Sequence, residues 1–121
     1  MPAPRDAGGR WERHAESFLR GRGLKSLARN YQCRLGEIDL VMLDGPVLVF
    51  VEVRYRRRSE YGSGAETVTL AKRRKLVRAA LNYLGRHRQH ADRPCRFDVV
   101  SLGAGEHGPE LDWIRGAFDA E

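Results

Sequence analysis

Apolar and polar positions alternate along this chain with periods that change several times. From about Ala7 to Arg20, Trp11, Ala15, Phe18 and Leu19 fall at i, i+4, i+7 and i+8, one face of a helix, and Gly21 and Gly23 end it. Leu24 to Gln32 reads as a strand with Leu24, Leu27 and Tyr31 as its apolar content. The runs Gly36-Glu37-Ile38-Asp39-Leu40-Val41 and Val49-Phe50-Val51-Glu52-Val53-Arg54 read as buried strands of a hairpin. A polar, glycine-rich stretch from Ser59 to Glu66 follows, without P-loop or dinucleotide spacing, and is expected to be a mobile connection beside the site. A second helix, capped by Thr67 or Thr69, runs to about Leu84 with a core stripe of Leu76, Val77, Ala80, Leu81 and Leu84. Arg96 to Leu102 and Glu110 to Arg115 form two more strands around a turn from Gly103 to Pro109. The order α-β-β-β-α-β-β predicts a single α/β domain over residues 1–121, with residues 1–6 frayed. Trp11, Trp113 and Phe118 are expected in the core, not as base-stacking platforms.

Within the hairpin the acids break the pattern. A carboxylate in a buried strand is costly unless a cation or hydrogen bonds compensate it. Asp44-Gly45 is a strong turn signal, and a turn centred there pairs Leu43 with Pro46, Met42 with Val47, Leu40 with Val49, Asp39 with Phe50 and Glu37 with Glu52. Strand alternation then sets Glu37 and Asp39 on one face with Phe50, Glu52 and Arg54, with Asp39 and Glu52 as diagonal neighbours. Two carboxylates so placed can close around one divalent ion, and a metal is the leading explanation for them.

Charge adds a partner to this picture. Of 22 Lys and Arg residues, 13 lie between residues 54 and 96, against 3 of the 16 acids. Arg54, Arg56, Arg57 and Arg58 leave the acid-bearing strand, and Lys72, Arg73, Arg74, Lys75 and Arg78 decorate the second helix. Basic rims beside paired acids suit a polyanionic backbone; the alternative is a solvated helix face. The amino terminus lacks a signal-peptide stretch and no run approaches a membrane span, so a cytoplasmic, membrane-free protein is expected. Cys33 and Cys95 have no zinc spacing and read as reduced thiols, and the four histidines form no ligand cluster.

Gly-Glu-Ile-Asp-Leu-Val, Val-Phe-Val-Glu-Val-Arg-Tyr-Arg, Lys72 opening a basic helix, Arg96-Phe97-Asp98-Val99-Val100 and Asp112-Trp113-Ile114-Arg115 together resemble the YraN family, in order, from about Gly9 to Phe118. That family is similar in fold to the PD-(D/E)XK nucleases, the restriction-endonuclease-like group that includes Holliday-junction resolvases. The resemblance implies a mixed sheet flanked by helices and a divalent-metal-dependent phosphodiesterase using Mg²⁺ or Mn²⁺. It places Asp39, Glu52 and the Val53 carbonyl as metal ligands and Glu12 as the helix acid, with Glu16 as its rival one turn on. Arg54 stands where those nucleases carry lysine, so it can clamp phosphate or stabilise charge but cannot act as a base.

Each residue also has a structural reading. Asp39 can cap a turn or pair with an arginine, Glu52 can pair with Arg54 or a helix cation, and Glu37 is either an outer acid or a strand-entry charge. Lys72 is either a surface lysine or a group reaching back to supply the cation that Arg54 cannot. Arg96 and Asp98 most simply pair with each other. The nucleic-acid surface is assigned to Arg56, Arg57, Arg58, Lys72, Arg73 and Lys75. The expected function is a DNA-binding, endonuclease-like protein, with branched DNA as a substrate by analogy of fold. RNA as the partner, a non-catalytic nucleic-acid-binding role and a module docking an acidic protein are the alternatives, and the oligomeric state stays open between monomer and homodimer.

Overall fold

A computed structural model describes residues 2–56, 68–105 and 108–120. The elements are α1 (Pro2–Gly21), β1 (Lys25–Cys33), β2 (Gly36–Asp44), β3 (Val47–Arg56), α2 (Leu70–Arg86), β4 (Cys95–Gly105) and β5 (Gly108–Phe118), with a short 3₁₀ turn at Arg88–His90 before β4. This is the expected α-β-β-β-α-β-β order. The five strands form one mixed sheet in the order β1-β2-β3-β4-β5, antiparallel except for the β3–β4 pair. Because β3 and β4 are parallel, the chain must cross over between them, and α2 is that crossover. None of the described helices is long and apolar enough to cross a membrane.

The two helices cover opposite faces. On one, Ala15 and Leu19 of α1 pack with Leu40, Met42, Val49, Val51 and Val100. On the other, Leu76, Ala79, Ala80 and Tyr83 of α2 pack with Val41, Leu48, Phe50, Phe97 and Val99. The stripe of α2 is therefore rotated from the one expected: Leu81 is 63% exposed, and Ala79 and Tyr83 take the core positions. Tyr83 earns its place through edge-on contacts with Tyr31 and Phe50. Helix α1 spans Pro2–Gly21. It ends where expected: Gly23 takes φ +97°, its amide reaches Arg20 O and the Leu24 amide reaches Leu19 O, a Schellman closure. Thr69, not Thr67, caps α2, its hydroxyl accepting from the Lys72 amide at 3.2 Å; Thr67 and the Ser59 to Glu66 stretch lie outside the described residues. Strands β4 and β5 are longer than expected at both ends.

The hairpin register differs by two residues from expectation. Asp44 pairs with Val47, Met42 with Val49 and Leu40 with Val51, so the two-residue loop is Gly45-Pro46. Gly45 holds φ +59° at the first loop position, as in a type II′ turn, and Pro46, having no N–H, is kept out of the ladder. A two-residue shift changes the pairings but preserves the faces over the paired stretch from Leu40 to Asp44.

Helix α2 sits close against the start of β2. A Cβ on Gly36 would come within 2.9 Å of the Lys75 carbonyl oxygen, and Gly36 carries φ +157°. Gly36→Ala is expected to push the first turns of α2 off the sheet and to destabilise the fold by about 1–3 kcal/mol. A thermal or urea melt checks this; an unchanged midpoint would show that the close approach is dispensable.

Candidate active site

The site begins with a parting of strands. Strand β2 pairs with β3 only as far as Leu40↔Val51, while the start of β2 stays on β1 and the end of β3 stays on β4. One further step of that register sets Asp39 opposite Glu52. There the Val53 amide, with no β2 carbonyl to meet, donates to Asp39 Oδ2 at 2.7 Å. The carboxylate thus completes a ladder that the backbone has abandoned.

Alternation also breaks at this point. Ile38 and Leu40 should share a face, yet Ile38 packs with the α2 cluster and Leu40 with the α1 cluster. Opposite them on β1, Arg29 reaches Glu16 of α1 while Tyr31 packs on Tyr83 of α2. Between them Asn30 has φ +49°, the one non-glycine residue with positive φ among those described. The kink turns Asp39 into the plane of the splay, toward β3. Glu37, expected beside Glu52 on the α2 face, instead lies near enough to Glu12 of α1 for its charge to act there.

A cleft of about 1030 Å³ opens at the splay, with Trp11 and Glu12 of α1 on one side and Lys72, Lys75 and Leu76 of α2 on the other. Asp39, Glu52, Val53 and Tyr55 line it, and the β1–β2 turn with Glu37 closes one end. Four acids therefore meet Arg34, Lys72 and Lys75. Burial, then the charge of Glu52, pushes the Asp39 carboxyl far above the usual carboxylate range, against the pull of the Val53 amide. Glu12 is raised as well, by burial first and then by Glu37 and Glu52. Lys72 Nζ stands 3.2 Å from Glu52 Oε2, the 9%-exposed side chain of the pair.

Among the described residues, no three His, Cys, Asp or Glu side chains converge into a ligand group. The donor set that does meet is the Asp39–Glu52 pair, which mutual repulsion makes receptive to a cation. Beside it Glu12 Oε1 is buried without a hydrogen-bond partner. All are hard oxygen donors, the type that suits Mg²⁺ or Mn²⁺.

Other expectations divide. Glu16, the rival helix acid, is held by Arg29 Nε at 2.7 Å and does not line the cleft, which leaves Glu12 as the helix acid that does. Arg54 pairs across from Ser101 on β4 and is also absent from the cleft lining. The basic residues do not form one rim. Lys72 and Lys75 border the cleft, Arg56 bridges to Asp112 at 3.1 Å, and Arg73 bonds the Val68 carbonyl and overlies the Phe118 ring. Arg57 and Arg58 lie outside the described residues. Arg96 and Asp98 do pair, and Asp98 also accepts from Trp113 Nε1 and the Gly116 amide. Trp11, expected in the core, is only partly buried at its edge and lines the cleft, and Tyr55, not read as a site residue, stacks on it with ring centroids 4.7 Å apart.

The model of Uncharacterised protein family UPF0102 matches residues 11–102, which include every cleft residue named above. The chain belongs to this family, the YraN family of the sequence resemblance. A UPF0102 protein of Stutzerimonas stutzeri is 46% identical over 99% of this chain and all of its own length. One from Nitrosospira multiformis is 51% identical over 93% of this chain and 92% of its own, and one from Pseudomonas aeruginosa 48% over 96% and 94%. These UPF0102 relatives match this chain over nearly the whole of their own length.

The raised Asp39 carboxyl has a consequence for stability. The folded state binds this proton more tightly than the unfolded chain, whose value lies near 3.8. Stability from this group is therefore full below that value and lost as pH rises toward the folded one. Without divalent ions, the melting temperature should fall from about pH 5 to pH 8, and Asp39→Asn, which keeps an acceptor for Val53, should raise it at pH 8 and flatten the dependence. A variant as pH-sensitive as the parent would place the titrating group elsewhere.

Proposed function

We propose that this UPF0102 protein is a nucleic-acid phosphodiesterase of the PD-(D/E)XK type, dependent on Mg²⁺ or Mn²⁺ and acting on DNA in preference to RNA. The observation that carries the reading is the Asp39–Glu52 pair at the β2–β3 splay, Glu52 buried and Asp39 half-buried beside it, with Lys72 3.2 Å from Glu52. An acid pair this unfavourable to itself is what a cation site requires, and the open cleft admits a phosphate to it.

Asp39 and Glu52 would hold the ion, with the Val53 carbonyl beside them and Glu12 reaching it directly or through water. A divalent ion there supplies Lewis acidity toward a phosphoryl oxygen and a water of lowered pKa. The Val53 amide fixes the Asp39 carboxylate, so the pair is oriented before any substrate arrives. Lys72 takes the part first assigned to Arg54. It lies on the Thr69-capped first turn of α2, and its flexible stem lets the ammonium turn from Glu52 to a phosphate oxygen. Lys75 extends that wall and neutralises a neighbouring phosphate. Arg54 and Arg56, from the end of β3, remain candidates for more distant backbone contacts.

A non-catalytic nucleic-acid-binding role is the second reading. It is favoured by the absence, among the described residues, of a three-ligand cluster. The two are separated by cleavage of linear, single-stranded and four-way-junction DNA, and of RNA, with Mg²⁺, Mn²⁺ or EDTA. Glu52→Gln or Asp39→Asn should abolish metal-dependent cutting while binding in EDTA persists. Lys72→Ala should lower kcat by about 10²-fold or more, Arg54→Ala by far less. Wild-type protein that cuts nothing and whose melting ignores divalent ions would establish the binding role instead.

A further inference from the structure

The cleft has an aromatic wall as well as an acidic floor. Trp11 of α1 and Tyr55 of β3 lie ring on ring, 4.7 Å between centroids and 17° between planes, and both line the cavity that holds Asp39 and Glu52. Strand parity explains the meeting. Val49, Val51 and Val53 face α1, and Tyr55 continues that row to the end of the strand, three residues past Glu52. Trp11 leans on the edge of the α1 cluster, but Tyr55 is 46% exposed, so the stack ends in solvent at the cleft. An exposed, pre-stacked aromatic pair presents a flat apolar surface at little ordering cost. Across the cavity stand Lys72 and Lys75. Phosphate-binding cations on one wall and rings on the other are the two halves of a nucleotide: backbone and base.

We propose that the Trp11–Tyr55 stack binds an unpaired base, which makes the preferred ligand of this cleft single-stranded or frayed nucleic acid. The inference rests on the nucleic-acid reading above and names the strandedness that reading left open. A base inside a duplex is already stacked on both faces and cannot also cover Tyr55, whereas a splayed base can. The carboxylates point the same way. Glu52 is 7% exposed at the cleft floor, so a backbone brought to it lies between the two walls, where its own base meets the rings. Stacking reads no sequence, and the site should discriminate by strand state rather than by base identity.

The test compares fluorescently labelled oligothymidine, an abasic oligomer of equal length and charge, and a duplex, all in EDTA at fixed salt, by anisotropy. Wild-type protein should bind oligothymidine about 5-fold or more tighter than the abasic oligomer, the effect of one or more stacked bases. Tyr55→Ala, at an exposed position, should remove that difference while leaving abasic binding unchanged, and Tyr55→Phe should retain it. Trp11→Phe, which keeps a ring in the stack, guards against loss of fold, and circular dichroism of each variant confirms it. Equal affinity for the oligothymidine and abasic oligomers, or a Tyr55→Ala loss shared by both, would overturn the stacking site and spare the nucleic-acid reading. Failure to bind any of the three at low salt would overturn both.

Discussion

The hydrogen bond from the Val53 amide to Asp39 is the constraint from which the rest of the site follows. A strand that leaves its neighbour strands backbone donors, and a buried donor without an acceptor costs about as much as a lost hydrogen bond. Asp39 resolves that at the β2–β3 splay, but it brings a negative charge to within reach of Glu52 in a desolvated place. The fold has exchanged one electrostatic problem for another, and the second is relieved by a proton shared with Glu52 or by a cation. Lys72 provides part of the relief from α2. The position of α2 is thus part of the electrostatics, and it depends on a glycine at residue 36, where a side chain would meet the helix backbone.

A second buried acid shows what a purely structural carboxylate looks like in the same sheet. Asp98 on β4 is fully buried, yet Arg96, Trp113 and the Gly116 amide donate to it, and its charge is spent on tying β4 to the end of β5. Asp39 accepts from one backbone amide and shares a hydrogen bond with Glu52, and Glu12 keeps a buried oxygen with no partner. The two aspartates differ in burial, Asp98 fully enclosed and Asp39 partly exposed at the cleft. They differ also in partners: guanidinium, indole and amide donors surround Asp98, whereas Asp39 and Glu52 face each other. Two acids in contact are unfavourable when both are ionised, which is the cost that a proton or a cation between them removes.

Much of this was legible in the sequence because it rests on period and composition. The stripe of α1, its glycine stop and the identity of the acid-bearing strands depend on local spacing, and the structure has them where the spacing put them. The register of the hairpin was not, because Asp-Gly and Gly-Pro both signal turns and only the missing amide of Pro46 decides between them. Nor was the break at Asp39: it needs Asn30 of the neighbouring strand in a left-handed conformation, a pairing between residues whose coupling has no local mark. The α2 face was misjudged at Leu81 because leucine at a plausible spacing outweighed tyrosine, whose ring completes an aromatic cluster visible only in three dimensions. Of the two helix acids, spacing could not choose; Arg29, thirteen residues after Glu16, chose by capturing it.

Moving the cation from strand to helix has physical consequences of its own. Arg54, two residues after Glu52 on a hydrogen-bonded strand, has its backbone held between β3 and β4, and its guanidinium remains charged at any usable pH. Lys72 is half-exposed, on a long flexible stem, at the open end of the cleft, and it is paired with one of the carboxylates a cation would occupy. Whatever positive charge enters between Asp39 and Glu52 weakens the hold of Glu52 on Lys72, since one carboxylate cannot fully serve both. The ammonium is then available to the anion that the same cation attracts. On the proposed metal-dependent reading, the Glu52–Lys72 ion pair would couple the arrival of a divalent ion to release of the ammonium, with no movement larger than a side chain.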